Sequence, residues 1–349
     1  MIENILKLLV LLIFFVGCSK PTELKEQNFY YWKTSYQLGE AERNTLSLNQ
    51  TTKIYTRLCD ISLEYDKTAH PNNVLKWETQ PSQEYQYIPV IFIQNKVFSG
   101  WDEEKQATAI RDKKYLDKST LKDLAKNVYK LTKSSWEYMN IELNEVQIDC
   151  DWTESTKESY FYFLEELNKE CGGITLSATI RLHQIKYQEK TGIPPIDKAS
   201  LMCYNLDDMN NTMTENSIFN LKVIKLYVNK KHQYNKIPIS LALPVFQWNL
   251  AYRDDKFVGI VRNISDDQLV RDFNKLEGNK FKVKQNPSKY KLQWGDIIRH
   301  EETNEAELQD ALEYLKNKLP YWNGEVIYFD LNKNVTETYE KSILPFPIN

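Results

Sequence analysis

Two aspartates, two positions apart, are the residues in this sequence best suited to chemistry. Asp149 and Asp151 alternate with apolar residues, so on a β-strand their side chains would share one face. Two buried carboxylates this close repel each other, which raises the pKa of one and prepares a pair that shares a proton. Arg181, from a second alternating run, could neutralise them instead. The pair therefore predicts either proton-transfer chemistry or a structural salt bridge with Arg181.

Eight strand-like runs would supply the framework that positions these residues. The runs are apolar or alternating and are mostly separated by helix-like segments, which predicts an α/β fold, a single (β/α)8 barrel. They cover 28–35, 53–60, 87–93, 145–151, 173–182, 199–204, 238–246 and 324–331. The long segments 61–86, 94–118 and 247–303 are expected to be loops on the face of the barrel that carries function.

Alternation also predicts which side chains point into the barrel. In the fourth run Gln147 accompanies the two aspartates on the inward face. The inward set of the fifth run is Thr175, Ser177, Thr179, Arg181 and His183. In the sixth run Met202 and Tyr204 face inward, so Cys203 faces the helices, as Cys150 does on the fourth. These two thiols would lie two strand spacings apart, too far for a disulfide, and are predicted to be packing thiols.

Capping sequences predict where three helices begin. The segments 120–123, 155–158 and 304–307 each combine a capping residue with an acidic residue three positions later, and apolar residues follow at helical spacing. Glu154 comes just before the second of these segments. Its charge there would complement the helix dipole, which is a structural explanation for this carboxylate.

The fourth and sixth strands carry motifs that resemble those of chitinase-type glycoside hydrolases. The stretch VQIDCDWT at 146–153 is similar to the fourth-strand signature DGxDxDWE, and MCYN at 202–205 is similar to the sixth-strand motif MxY(D/N). The resemblance implies that Asp149 and Asp151 orient the acetamido group of a sugar, which attacks the anomeric carbon. It also implies that Tyr204 assists the reaction.

The sequence departs from that signature at the proton donor. Thr153 stands where the family has its acidic Glu, and Val146 stands where it has the first Asp. The nearest carboxylate, Glu154, comes one residue late. On a strand this shift would turn the side chain away from the interior, although a loop beyond the strand end could turn it back.

A resemblance over most of residues 28–331 is to uncharacterised barrel-type bacterial lipoproteins, described as glycoside hydrolase-like. The stretches that carry it are 148–152, 181–187, 192–195, 202–205 and 241–248. This resemblance implies the barrel fold and no established reaction.

Further candidate residues lie near the predicted carboxyl ends of the strands, where a barrel of this kind binds its ligand. Each has a structural explanation of its own, in packing or an ion pair. Together they provide two aromatic planes and several hydrogen-bonding groups, which suit a polyhydroxylated ligand. The candidate substrate-binding residues are Trp32, Lys33, Arg57, Asp60, Arg181, His183, Gln184, Asn205, Gln247 and Trp248.

The N-terminus has the pattern of a bacterial lipoprotein export signal. An apolar run at 8–16, too short to span a bilayer, ends at Gly-Cys in a stretch that resembles a lipobox. We expect residues 1–17 to be a signal peptide, Cys18 to be lipid-modified, and 18–27 to tether a barrel domain of 28–349 to a cell-envelope membrane. An uncleaved anchor or a buried N-terminal helix is the alternative.

Composition excludes some classes of partner. With 349 residues, 42% hydrophobic content and a formal net charge of −3, the chain can bury a large core and has no basic excess for nucleic acid. The four histidines form no cluster with cysteines, so neither a metal nor a cofactor is expected.

Two functions remain open from the sequence. One is a glycosidase in which Asp149 and Asp151 flank the scissile bond and Asp151, Glu154 or a loop residue donates the proton. The other is a non-catalytic glycan-binding or envelope scaffold protein that has lost the acid. A second carboxylate beside Asp151 in an open groove would favour the first, and Arg181 salt bridges filling the barrel end would favour the second.

Overall fold

Eight parallel strands close into a barrel in the computed structural model of this chain. The strands are β1 (Glu26–Tyr31), β2 (Lys53–Leu63), β3 (Gln86–Ile93), β4 (Glu145–Asp149), β5 (Thr175–Arg181), β6 (Lys198–Met202), β7 (Ile239–Pro244) and β8 (Trp322–Phe329). Each pairs in parallel with the next, and β8 pairs with β1. The predicted (β/α)8 barrel is therefore confirmed.

The structure describes most of the chain after the predicted tether begins. The described residues are 23–64, 68–99, 117–229, 234, 237–262, 264–332, 335, 338–339 and 341–345. The predicted signal peptide and Cys18 lie outside this part of the chain. Within it, no helix is long and apolar enough to cross a membrane.

The helices lie mainly between the barrel strands. The α-helices are Glu40–Leu48, Lys118–Tyr138, Lys157–Cys171, Leu182–Lys186, Gln188–Thr191, Leu221–Tyr227, Asp266–Asp272 and Glu305–Lys318, with 3-10 turns at Asn95–Phe98 and Pro287–Tyr290. Their apolar faces and the outward faces of the strands form the main core.

One of the three predicted helix starts is confirmed. Asn304 caps its helix by accepting from the backbone N–H of Glu307 at 3.0 Å. The first predicted start is wrong, because Asp117 caps that helix three residues earlier and Thr120 donates to it. The second helix begins at Lys157 without the predicted capping box, since the Ser155 hydroxyl bonds to the Thr153 hydroxyl instead.

Short strands outside the eight barrel strands pair with β2 or with each other. Ala69–Asn72 pairs antiparallel with the end of β2. The two-residue strands Ser35–Tyr36 and Lys76–Trp77 pair with each other in parallel. Part of the segment 61–86 expected to be a loop is therefore strand.

The segment 247–303, also expected to be a loop, folds into a five-stranded antiparallel sheet between β7 and the last helix, which we call the inserted sheet. In spatial order its strands are Lys256–Val261, Trp248–Arg253, Ile297–Glu301, Lys280–Val283 and Phe273–Lys275. Left-handed Asp254 and Asp255 make the tight turn between the first two. Because Phe273, Val283 and Ile298 belong to a separate apolar cluster, the sheet has a core of its own.

The predicted strand parity is confirmed. Cys150 and Cys203 belong to the outer core, whereas Met202 and Tyr204 belong to the cluster inside the barrel. All four described cysteines, Cys59, Cys150, Cys171 and Cys203, are buried and free. The packing role predicted for Cys150 and Cys203 agrees with this, and burial raises the pKa of all four thiols.

A buried ionic network fills the N-terminal end of the barrel. The Lys198 ammonium donates to Glu145 at 2.7 Å, to Glu325 at 3.4 Å and to the Tyr55 hydroxyl at 2.8 Å. Burial alone would raise the pKa of Glu325, but the charges of Lys198 and Lys53 lower it to about 2. With this end filled by ion pairs, a ligand has to approach from the opposite end.

Candidate functional site

Asp149 ends β4 at the C-terminal opening of the barrel, which we call the mouth. Its side chain is buried, and the Thr179 hydroxyl of β5 donates to it at 2.6 Å. Burial raises the pKa of Asp149 to about 6; the Thr179 hydrogen bond acts in the opposite direction, and the negative charge of Asp151 adds to the rise. This carboxyl therefore changes protonation close to neutral pH.

Asp151 lies two residues further on and forms a two-pronged ion pair with Arg181. The guanidinium donates from Nε at 2.6 Å and from Nη2 at 2.9 Å to the two carboxylate oxygens. Burial would lower the pKa of Arg181, but the bonds to Asp151 outweigh it and the net pKa is raised. Of the two aspartates that Arg181 could neutralise, it pairs with Asp151, and half of the Asp151 side chain stays exposed.

Five aromatic residues, which we call the aromatic wall, line one side of the mouth: Trp32, Tyr204, Phe246, Trp248 and Phe329. The Tyr204 and Phe329 rings stack with centroids 4.9 Å apart. Phe329 also contacts Trp32 at 5.5 Å and Phe246 at 5.9 Å, and Phe246 contacts Trp248 at 5.4 Å. The rings therefore form one continuous surface.

The Tyr204 hydroxyl belongs to the same electrostatic environment as the aspartates. Burial raises the pKa of Tyr204 well above its ordinary value, and the nearby Tyr30 and Asp149 raise it further. The phenol accordingly stays protonated, so its O–H is available to donate a hydrogen bond.

Arg57 and Asp60, both within β2, form a second two-pronged ion pair. Arg57 Nε donates to Asp60 at 2.9 Å and Nη2 donates to the other oxygen, while the guanidinium lies 5.8 Å from the Trp32 ring. Because the guanidinium lies against Trp32 of the aromatic wall, this pair faces the same mouth. The charge of Asp60 also contributes to the raised pKa of Asp149. The structure thus brings together Trp32, Arg57, Asp60, Asp149, Asp151, Arg181, Tyr204 and Trp248 of the predicted site.

Lys33 and Gln247 lie beside this group. They line a cavity of about 330 Å3 together with Phe246, Thr303 and Tyr339, and neither aspartate contributes to it. Lys33 also pairs with Glu42 at 2.9 Å. Phe246 therefore separates this cavity from the mouth.

The other predicted residues lie outside the group. Gln184 is buried with both ends bonded to backbone, at Arg181 N and Trp152 O, so it caps the short helix that follows β5. That helix begins at Leu182, which carries His183 off the predicted strand to an exposed position. Partial loss of water around the ring and the charge of Arg181 lower the pKa of His183.

Glu154 and Asn205 are both exposed. Asn205 has a left-handed backbone, with φ 54°. Thr153 stands where the chitinase-type signature has its acidic Glu. It belongs to the turn before the helix Lys157–Cys171, because its N–H donates to the Thr156 hydroxyl at 2.9 Å. The position that would hold the acid is thus part of a structural turn.

Sequence reasoning missed three residues of this site. The alternation within the run 324–331 would have pointed to Phe329. Phe246 lies inside the stretch 241–248, which indicates only the fold. No sequence pattern pointed to Glu301, because the segment 247–303 was expected to be a loop. It accepts from the indole of Trp248 at 2.7 Å. No group of three or more His, Cys, Asp and Glu able to hold a metal occurs among the described residues.

No protein-family model and no curated protein matches the sequence. Solved structures that are similar include the spore cortex-lytic enzyme SleL of Bacillus cereus, with 13% identity and TM-score 0.49, over 92% of this chain and 75% of that one. A GH18 chitinase from Cycas revoluta in complex with (GlcNAc)3 has 10% identity and TM-score 0.49, over 90% and 97%. The chitinase-like agglutinin of Robinia pseudoacacia has 11% identity and TM-score 0.46, over 89% and 97%.

Proposed function

We propose that this chain binds a glycan at the mouth of its barrel and does not hydrolyse it. The observation that carries the proposal is the ion pair between Arg181 and Asp151, which uses both oxygens of the second motif aspartate. Because both oxygens of Asp151 already accept from the Arg181 guanidinium, this side chain acts as an acceptor and is not placed to donate a proton. Thr153 supplies no acid in its place.

The chemistry of the mouth suits a sugar. The aromatic wall offers apolar ring faces, and Asp149, Asp151, Arg181 and Tyr204 offer donors and acceptors at its floor. An apolar surface with a few convergent polar groups is the usual composition of a small-molecule site, and ring faces beside hydroxyl partners fit a polyhydroxylated ligand.

We also propose that the protein works at a membrane of the bacterial cell envelope, facing the outside or the periplasm. Lipid on Cys18 would hold it there, and a short tether would join that lipid to the barrel. The ligand would then be a glycan of the envelope or of its surroundings.

Hydrolysis is a second candidate because of Asp149. A buried carboxyl with a pKa of about 6 is protonated often enough at neutral pH to act as a general acid. In that mechanism Asp149 would donate the proton, and Asp151 with Arg181 would only orient the sugar.

A glycan array followed by a hydrolysis screen, on a soluble form that begins at Pro21, tests the proposal. The binding function predicts retention of one class of glycan and no release of reducing ends. Release of reducing ends by the wild-type protein, lost in Asp149→Asn, would establish the second candidate instead. Absence of both retained glycan and released reducing ends would exclude both.

A further inference from the structure

We propose that Glu301, in the inserted sheet, is a positioning residue that fixes the indole of Trp248 in the aromatic wall. Glu301 is 1% exposed and ends the strand Ile297–Glu301, where it lies directly opposite Trp248 in the antiparallel register. The consequence for ligand affinity rests on the proposed glycan-binding function, whereas the structural part of the inference does not.

Both oxygens of the Glu301 carboxylate are occupied. One oxygen accepts from Trp248 Nε1 at 2.7 Å, from the Ser217 backbone N–H at 2.8 Å and from the Ser217 hydroxyl at 2.6 Å. The other accepts from Arg299 Nε at 2.6 Å. A carboxylate held by four donors has no freedom to rotate, so the indole bonded to it has one preferred orientation.

Arg299 supplies the charge that makes a buried carboxylate tolerable here. It is fully buried and donates from Nη1 to the carbonyl of Asn211 at 2.8 Å, while its guanidinium lies 5.1 Å from the Tyr252 ring. A buried ion pair whose members make further hydrogen bonds has a well-defined geometry.

The inserted sheet also holds the loop that follows β6. Lys280 donates to the carbonyl of Thr212 at 2.9 Å, and Asn279 donates to that of Glu215 at 2.8 Å. Glu301 therefore lies where this loop, the inserted sheet and the aromatic wall meet. Unlike Phe329, which belongs to a barrel strand, Trp248 is positioned by the inserted sheet.

Trp248 is partly exposed and packs edge-on against Phe246 at 5.4 Å, so its orientation determines the outer end of the wall. A free indole could rotate about its side-chain bonds, and a ligand would have to immobilise it on binding. Fixing the ring in advance removes that cost.

The first test measures the affinity of the full chain for the N-acetylglucosamine tetramer, (GlcNAc)4, as a probe. In Glu301→Gln, one of the two carboxylate positions becomes an NH2 group that faces a donor, so the network breaks. We expect about tenfold weaker binding. In a Trp248→Phe background, the same substitution should have almost no further effect.

Asp296→Asn is the matched control, because Asp296 is a buried carboxylate just before the strand Ile297–Glu301, and it pairs with Arg253 away from the wall. It should leave the affinity for (GlcNAc)4 unchanged. An equal loss from Glu301→Gln in the wild-type and Trp248→Phe backgrounds would overturn the inference.

The second test needs neither a ligand nor a Glu301 variant that folds. The Trp248 indole N–H resonance of the wild-type protein, assigned by its loss in Trp248→Phe, should exchange with solvent far more slowly than that of Trp294, which is 70% exposed. Equally fast exchange at both indoles would overturn the positioning role. Failure of (GlcNAc)4 to bind would count against the proposed function alone, and this exchange comparison would still decide the role of Glu301.

Discussion

Arg181 pairs with Asp151 through both prongs of its guanidinium and leaves Asp149 to the hydroxyl of Thr179. The two aspartates of the motif are therefore in different states. Asp151 is half exposed and fixed as the partner of a cation, whereas Asp149 is buried and has its pKa raised to about 6. The difference decides which of the two is available for proton transfer.

The ion pair predicts coupled stabilities for its two members. Asp151→Ala and Arg181→Ala should each lower the free energy of unfolding, and the double variant should cost less than the sum of the single ones. Because Asp151 is half exposed, we expect a coupling of only about 1 kcal/mol. Urea denaturation of the four proteins measures it, and additive losses would show that the pair does not stabilise the fold.

Burial of Asp149 predicts a pH-dependent stability of definite sign. Its pKa is higher in the folded protein than its ordinary value of 3.8, so the stabilising contribution is complete below pH 3.8 and is lost as the pH rises through about 6. Asp149→Asn keeps the acceptor for Thr179. Relative to this variant, the free energy of unfolding of the wild-type protein should fall by about 3 kcal/mol between pH 3.5 and pH 7.5.

Asp296→Asn provides the control of opposite sign. The hydrogen bonds of Arg253 lower the pKa of Asp296, so its contribution is present at neutral pH and is lost on acidification. Denaturation midpoints at the two pH values measure both effects. A wild-type protein whose midpoint changes with pH just as that of Asp149→Asn does would contradict the raised pKa.

Tyr204→Phe is expected to weaken glycan binding without affecting the fold. The substitution keeps the ring that stacks on Phe329 and removes only the hydroxyl at the floor of the mouth. Loss of one hydrogen bond to a ligand should raise Kd about tenfold. Tyr314→Phe, whose hydroxyl donates to the Val228 carbonyl, is a control that should keep its affinity. Equal affinities in all three proteins would remove Tyr204 from the site.

The predicted anchor is tested by Cys18→Ala. Because Cys18 is the cysteine at the predicted signal junction, its replacement should leave a precursor that carries no lipid. Labelling of producing cells with radioactive palmitate measures this. Label retained by the Cys18→Ala protein would contradict the lipoprotein hypothesis.

The barrel could be predicted from the sequence because each of its strands carries a strong local pattern. Alternation along β4 and β5 was enough to place Asp149 and Thr179 inside and Cys150 outside. The inserted sheet could not be predicted in the same way. Its strands are short and their apolar residues form a separate small core, so Glu301 stood in a segment without a recognisable period.

The site was predicted where the strands alone position it. Asp149, Asp151 and Tyr204 lie at strand ends and meet in the mouth, whereas Gln184 and His183 fall in a helix that begins one residue after β5. Arg181 pairs with Asp151 because of where the chain places Asp151 after β4 ends. Sequence alternation predicts which face of a strand a residue is on, but it does not predict positions beyond the strand end.

Isothermal titration calorimetry of the wild-type chain with (GlcNAc)4 tests the central claim most directly, because one record reports both binding and turnover. The glycan-binding account predicts heats that fall to zero as the site saturates, with no heat flow after each injection has equilibrated. Heat flow that continues in proportion to the remaining glycan, and that disappears in Asp149→Asn, would contradict it and show that the mouth hydrolyses its ligand.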